Sequence, residues 1–187
     1  MCQSVQQYPV RPNRRATDGT CLMVNPETLP YRPCVGIMLL NRQGLVWVGH
    51  RLPKHRDDKS AYMWQMPQGG IDKGEAPQQA AIRELREEVG TNKASHISET
   101  PDWLYYDLPK EMLKRSLKGR FRGQKQKWFA MRFEGQDSDI NINADYGAKP
   151  EFDDWKWVEM SHLPELVIPF KRKVYEQVVT NFIHLAS

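Results

Sequence analysis

The sequence predicts an α/β fold in which a mixed β-sheet lies between layers of helices. Strand-like apolar runs are interspersed along the chain with two long amphipathic helix patterns, which is the arrangement expected for such layers. The length of 187 residues, 40% of them apolar, fits one packed domain, and no apolar run is long enough to span a membrane. We expect residues 1–29, which lack hydrophobic periodicity, to be a disordered leader, and residues 30–187 to form the single domain.

The strands are predicted from apolar runs, from alternation and from turn signals between them. Two runs on either side of an Asn-Arg-Gln-Gly turn indicate a β-hairpin, and a polar, mixed segment after them indicates a loop. A third strand meets a sharp turn, and two later segments alternate as strands do. In chain order these are the hairpin Cys34–Leu40 and Leu45–Val48, the loop Leu52–Tyr62, the strand Trp64–Met66, the turn Pro67–Gly70, and the strands Gln126–Phe133 and Asp154–Val158.

Two helices are predicted from apolar residues that recur every three or four positions. The first covers Glu75–Val89, with Pro77 in the first turn, where its missing N–H has no cost, and Gly90 directly after the last periodic residue. The second covers Lys171–Leu185, where two neighbouring apolar stripes predict a helix that packs on the body of the domain.

The first helix carries an acidic cluster that a structural helix does not need. At about 100° per residue, Glu84, Glu87 and Glu88 fall within a sector roughly 100° wide, beside the apolar stripe. Like charges at this spacing repel one another, unless a divalent cation lies between them. Mg²⁺ prefers carboxylate oxygens and completes its coordination shell with water and substrate phosphates. The cluster therefore indicates metal-assisted hydrolysis of a phosphate anhydride. The alternative is a solvated helix with ion pairs four residues apart, such as Arg83–Glu87.

Cysteine and histidine usage argues against other metal sites. The three cysteines lack CxxC spacing, and the five histidines form neither HxxxH nor HExxH, so a zinc site and a disulfide framework are both disfavoured. Mg²⁺ or Mn²⁺ is the expected cofactor, and the cytoplasm is the expected compartment.

The stretch from Gly69 to Thr91 resembles the Nudix box, G-x5-E-x7-R-E-U-x-E-E-x-G-U, in which U is aliphatic. Leu85 fills the first aliphatic position, and Thr91 replaces the second, which concerns local packing rather than a metal ligand. The resemblance implies the Nudix fold, an α/β/α sandwich with a mixed sheet, in which the box forms a loop, a helix and a loop. Its motif residues here are Gly69, Gly70, Glu75, Arg83, Glu84, Glu87, Glu88 and Gly90.

Further segments are similar to one branch of that superfamily, the RNA pyrophosphohydrolases, also called (di)nucleoside polyphosphate hydrolases. The resemblance extends over roughly residues 31–183, and Trp103–Pro109 leans toward the diadenosine tetraphosphate hydrolases. It implies removal of pyrophosphate from 5′-triphosphorylated RNA, cleavage of dinucleoside polyphosphates, or both. The segments that carry it are Tyr31-Arg32-Pro33, Gln65–Gly70, Gly123–Phe129 and Pro150–Trp155.

The same resemblance implies roles for individual residues. Glu84, Glu87, Glu88 and Glu151 match metal ligands, Glu84, Glu88 and Glu151 match catalytic positions, and the general base is Glu84 or Glu151. Tyr106 and Phe170 resemble an aromatic pair that holds a base, although both could instead be core residues. The other positions that resemble substrate contacts are Arg51, Lys125, Lys127 and Lys171, with the first three on phosphates.

Several alternatives stay open at this point. Residues 110–127 contain eight cationic side chains and one acidic side chain, and this segment is either a solvated loop or a surface for polyanions. The chain could be a module that binds nucleotide or RNA without cleaving it, or a Nudix hydrolase of another nucleotide such as a nucleotide sugar. We expect a nucleotide or 5′-phosphorylated RNA as partner, with neither DNA nor a membrane, and the oligomeric state is open.

Overall fold

The structure is a computed structural model that describes residues 26–53, 63–113, 119–144, 146 and 149–186. A 3₁₀-helix at Pro26–Thr28 opens the described part of the chain, slightly before the predicted domain boundary at residue 30. Residues 1–25 of the predicted leader, and most of the predicted loop Leu52–Tyr62, lie outside the described residues. The division into leader and domain therefore stays a prediction.

The described chain forms an eight-stranded sheet and four α-helices, joined by short 3₁₀ turns. The strands are β1 Tyr31–Leu40, β2 Val46–Arg51, β3 Trp64–Gln65, β4 Gln68–Gly70, β5 Ala94–Glu99, β6 Leu104–Asp107, β7 Gly123–Phe133 and β8 Phe152–Val158. The helices are α1 Pro77–Val89, α2 Lys110–Leu113, α3 Leu163–Leu166 and α4 Arg172–Phe182.

The sheet is mixed, as predicted. β1 and β7 pair in parallel along the whole of β1, while every other pairing in the sheet is antiparallel. On its other side β1 pairs first with β4 and then, at Leu40, with Val46 of β2. The predicted hairpin is therefore present, but its two strands are paired only next to the turn. β3 and β8 flank β2, and β5 and β6 pair with β7.

Alternate residues of β1 and β7 serve two separate cores, one on each face of the sheet. On one face Val35, Ile37 and Phe129 pack against α1, through Ala81 and Leu85. The opposite face packs against α4 and α3 through Met38, Leu40, Trp128, Val174, Tyr175, Val178 and Leu163. Helices therefore cover both faces, and the α/β/α sandwich is confirmed.

The ends of α1 follow from its sequence. Gly90 has φ 75°, in the left-handed region, and its N–H donates to the Arg86 carbonyl, which ends the helix as predicted. The start is two residues later than predicted, because Ala76 is still extended and Pro77 occupies the first helical position. Glu75 therefore belongs to the loop, where its carboxylate accepts the Asp72 N–H.

Other boundaries also differ from the prediction. The predicted turn Pro67–Gly70 ends in β4, which pairs with β1, and the last helix stops at Phe182, followed by a 3₁₀ turn at Ile183–Leu185. β5, β6, α2 and α3 are elements that the sequence pattern did not indicate. Within the described ranges, no helix has the length and apolarity that crossing a bilayer requires.

Candidate functional site

The carboxylates of α1 line a cleft at one end of the sheet. We call this the acidic cleft, and its volume is about 560 Å³. Glu84 and Glu88 are almost fully buried at its base, and the Glu88 carboxylate accepts the Gln68 N–H at 2.9 Å. The residues that line it are Leu52, Pro53, Glu84, Glu87, Glu88, Lys149, Pro150 and Glu151. The structure thus brings the four predicted carboxylates to one cleft, although they come from two distant segments.

Arg83 ties the loop before α1 to the acidic residues of the helix. Its guanidinium makes two hydrogen bonds to Glu75, both at 2.9 Å, and one to the Gly70 carbonyl at 2.8 Å. The same group contacts Glu84 at 2.7 Å and Glu87 at 3.3 Å. Bidentate, charge-assisted pairs of this kind fix geometry as well as add energy. Arg83 therefore holds the loop and two carboxylates in one arrangement.

The environment of Glu84 differs from that of Glu75. Burial raises the pKa of Glu84 above its ordinary value, the charges of Glu87 and Glu151 raise it further, and the hydrogen bond from Arg83 opposes the rise. The pKa of Glu75 is instead lowered, because Arg83 donates hydrogen bonds to its partly buried carboxylate. Of these two carboxylates, Glu84 is the one whose charged form a nearby cation would favour.

The donor set of the acidic cleft fits a hard divalent cation. All four candidate ligands are carboxylates, which Mg²⁺ and Mn²⁺ prefer over softer donors. In the part of the chain that the structure describes, no three acidic, histidine or cysteine groups are close enough to chelate an ion as they stand. The guanidinium of Arg83 contacts both Glu84 and Glu87 in this arrangement.

Strand β4 lies between the acidic cleft and a second group of polar residues on the α4 face. Gly69 points toward Glu84, and a β-carbon there would overlap the Glu84 carboxylate. Gly70 points to the opposite face, against the guanidinium of Arg32. Gln68 joins both sides, since its backbone contacts Glu88 and its side chain accepts from Gln126 at 3.2 Å. The paired glycines let both groups of residues approach the same backbone.

The predicted base-binding residues lie together on the α4 face. The rings of Tyr106 and Phe170 are in contact, with centroids 5.5 Å apart and planes inclined by 39°. The Lys171 ammonium lies 5.8 Å from the Tyr106 ring and 3.4 Å from the Gln65 side-chain oxygen. Arg51 is also buried on this side of the chain, close enough for its charge to lower the pKa of Tyr106 against the larger effect of burial. A base could stack between the rings only after they separate.

Lys125 and Lys127 lie on the same face of β7, as alternation predicts, and this is the α1 face. Lys127 is engaged inside the protein: it donates to the carbonyls of Thr100 and Pro101 and pairs with Glu99 at 3.1 Å. Lys125 lies 5.0 Å from the ring of Trp103. Neither ammonium lines the acidic cleft, and their contact with phosphate stays a prediction.

Three participants were missing from the sequence interpretation. Lys149 lines the acidic cleft and places a cation beside Glu151. The second is the backbone N–H of Gln68, which donates to Glu88. A backbone contact of this kind cannot be predicted from the identity of the side chain. Arg32 was noted within a motif without a role, and the structure places it near Tyr106 and Cys34, whose pKa values its charge lowers. The resemblance at Tyr31-Arg32-Pro33 was the available signal for Arg32.

Comparisons with known proteins agree with this geometry. The family model described as NUDIX domain matches residues 30–178. The RNA pyrophosphohydrolase of Brucella abortus (strain 2308) is 57% identical over 171 residues, which cover 90% of this chain and 96% of the relative. The protein of the same name from Brucella anthropi is 57% identical over 167 residues, which cover 88% of this chain and 96% of the relative.

Solved structures share the fold at much lower identity. The E. coli dihydroneopterin triphosphate pyrophosphohydrolase is 22% identical, with a TM-score of 0.57 over 81% of this chain and 99% of its own. The C. elegans Ap4A hydrolase, solved as a binary complex, is 17% identical, with a TM-score of 0.56 over 82% of this chain and 98% of its own. At these identities the likeness establishes the architecture alone.

Proposed function

Because the chain belongs to the NUDIX domain family, we propose that it is a divalent-metal-dependent pyrophosphohydrolase acting on the 5′ triphosphate of RNA. The relatives at 57% identity carry the name RNA pyrophosphohydrolase and match nearly their whole length. Dinucleoside polyphosphates, which share the phosphoanhydride chain and the nucleoside, are the second substrate class.

The observation that carries the proposal is the convergence of Glu84, Glu87, Glu88 and Glu151 on one cleft. A protein that only binds nucleotide has no reason to keep four carboxylates beside an anionic ligand, since like charges repel. Mg²⁺, or Mn²⁺ in its place, would supply the positive charge that attack on a phosphate chain needs. This argues against the alternative of a binding module.

The residues of the chain divide the remaining work. Glu84 or Glu151 accepts a proton from the attacking water, whose oxygen bonds to phosphorus as the anhydride P–O bond breaks. The RNA leaves with a 5′ monophosphate, and the released group is pyrophosphate. Lys171, near Tyr106, holds the nucleotide end, Arg51 contacts the phosphates, and β4 brings that end beside the acidic cleft. Arg83 positions Glu84 through a hydrogen bond of 2.7 Å.

Lys127→Ala should raise KM more than it lowers kcat, because a lysine on the phosphate chain stabilises the ground state and the transition state alike. The measurement is steady-state kinetics on triphosphorylated RNA at two salt concentrations. Glu99→Gln is the matched control: it removes the internal partner of Lys127, so KM should stay equal or fall. If Lys127→Ala leaves KM and its salt dependence unchanged, the lysine only joins β7 to the Glu99–Pro101 segment.

The experiment that tests the proposal is a side-by-side assay of 5′-triphosphorylated RNA and diadenosine tetraphosphate with the full chain and Mg²⁺. We expect monophosphorylated RNA and pyrophosphate from the first substrate, with kcat/KM at least tenfold above that for the second. Turnover of diadenosine tetraphosphate alone would move the chain to the second substrate class. If the protein hydrolyses neither substrate, the proposed function is refuted.

We also propose a cytoplasmic location, with no DNA or membrane partner. Support comes from Cys34, which is a free, buried thiol, as is usual in proteins of a reducing compartment. Fractionation of cells that express the full chain would test the compartment directly.

A further inference from the structure

One solvent-open surface of the sheet lies outside both the acidic cleft and the group of residues around Tyr106. It lies on the α1 face at the end where β1 and β7 begin, where the α1 core stops at Val35. Tyr105 of β6 is 51% exposed there, and Pro33 of β1 is exposed as well. We call this surface the outer strip and define it by Tyr31, Pro33, Trp103, Tyr105, Arg122 and Lys125.

The aromatic and cationic side chains of the outer strip support one another. The Tyr31 and Tyr105 rings meet edge to face with centroids 5.0 Å apart. The Arg122 guanidinium lies 5.1 Å above the Tyr31 ring, and the Lys125 ammonium lies 5.0 Å from the Trp103 ring. Arg122 is held from behind by two hydrogen bonds to Asp107, at 2.9 and 3.1 Å. The Tyr105 ring is therefore fixed in place with much of its surface open to solvent.

Paired strands connect the outer strip with the acidic cleft. Gly69, which touches Glu84, pairs with Val35, and Val35 pairs with Lys127. Two residues along the strands, Pro33 pairs with Lys125, and Lys125 pairs with Tyr105. Ordinary strand spacing puts Tyr105 roughly 15 Å from Gly69. A chain that enters the cleft by its 5′ end can reach the strip within a few nucleotides.

The cationic side chains of the outer strip indicate that its ligand is a polyanion. Two cationic side chains, Arg122 and Lys125, belong to the outer strip and lie against its aromatic rings. Beside the strip, the carboxylate of Asp107 is paired with Arg122. An open aromatic ring between cations is the arrangement that binds single-stranded nucleic acid, through stacking on the ring and contact with phosphates.

Resting on the proposed action on RNA, we propose that the outer strip binds the single-stranded body of the RNA, downstream of the nucleotides held near Tyr106. Bases stack on Tyr105, and Lys125 contacts the backbone phosphates. The strip makes the enzyme favour RNA over dinucleotides, because a dinucleotide is too short to reach it.

The test measures binding, so it does not depend on hydrolysis. Anisotropy gives the Kd of 5′-monophosphorylated octanucleotide and dinucleotide RNA for the full chain, for Tyr105→Ser and for Tyr105→Phe. Tyr105→Ser should weaken octanucleotide binding about tenfold, the size of one stacked base, and dinucleotide binding by less than about twofold. Tyr105→Phe keeps the ring and should match the wild type. Ile183→Ser, at an equally exposed position on the C-terminal 3₁₀ turn, should change neither.

A second measurement addresses the phosphate contacts. Lys125→Gln should reduce the slope of log Kd against log salt for the octanucleotide by about 0.7, the value for one phosphate contact on a single strand. Equal losses for both RNA lengths in Tyr105→Ser, or no loss for the octanucleotide, would overturn the proposal. If the wild type binds the octanucleotide as proposed but hydrolyses no RNA, the proposed function fails while the strip stands.

Discussion

Glu88→Gln is expected to lower kcat by about a thousandfold and to leave the fold intact. The substitution removes one charged candidate ligand from the base of the acidic cleft without changing its shape. The amide oxygen of Gln can still accept the Gln68 N–H that the Glu88 carboxylate accepts at 2.9 Å. The melting temperature in metal-free buffer should stay equal or rise, because repulsion with the neighbouring carboxylates is relieved.

The measurements are steady-state kinetics and thermal unfolding with and without Mg²⁺. Glu176→Gln is the matched control, since it makes the same change at an exposed position of α4, far from the cleft. It should leave both kcat and the melting temperature unchanged. A near-wild-type rate for Glu88→Gln would refute the assignment of Glu88 as a metal ligand.

Gly69→Ala should lower kcat by about a hundredfold or more, although the residue carries no chemistry. The added methyl would occupy the position of the Glu84 carboxylate, so that either this group or β4 must move. Displacing a catalytic group by about 1 Å can cost a hundredfold in rate. Overpacking of this kind also costs about 1–3 kcal/mol of stability.

Gly36→Ala separates crowding from displacement of Glu84. A β-carbon at Gly36 would lie 2.5 Å from the Trp128 indole, in the core on the α4 face. It should lower the melting temperature as Gly69→Ala does, with a much smaller loss of kcat in the folded protein. Equal losses of kcat in the two variants would show that the effect at Gly69 is general destabilisation.

The elements that the sequence predicted are those whose burial is periodic. The inner face of α1 is buried at regular helical spacing, and β1 and β7 run through both cores, so their apolar runs are long. β5 was missed because it lies mostly exposed and has no alternation to detect, and β4 because it has three residues, two of them glycine. β6 was missed because Tyr105, an aromatic residue, occupies its exposed face.

The sequence predicted which carboxylates meet at the acidic cleft, but not the contacts that bring them there. Helical spacing and the box placed Glu84, Glu87 and Glu88 on one face, and the resemblance added Glu151. The chain folds back so that Leu52 donates its N–H to the Glu151 carbonyl, which brings that carboxylate to the cleft. The spacing of residues in the sequence does not predict this contact. The same holds for the Lys127–Glu99 pair, which depends on the pairing of β5 with β7.

The most direct test of the central claim is a metal titration of RNA hydrolysis. Chelator-treated protein is mixed with 5′-triphosphorylated RNA, and the rate is measured as Mg²⁺, or in parallel Mn²⁺, is added. The claim predicts no activity without metal, saturable recovery with either ion, and little recovery for Glu88→Gln at any metal concentration. Full turnover in metal-free buffer would contradict it, because the carboxylates of the acidic cleft would then have no cation to hold.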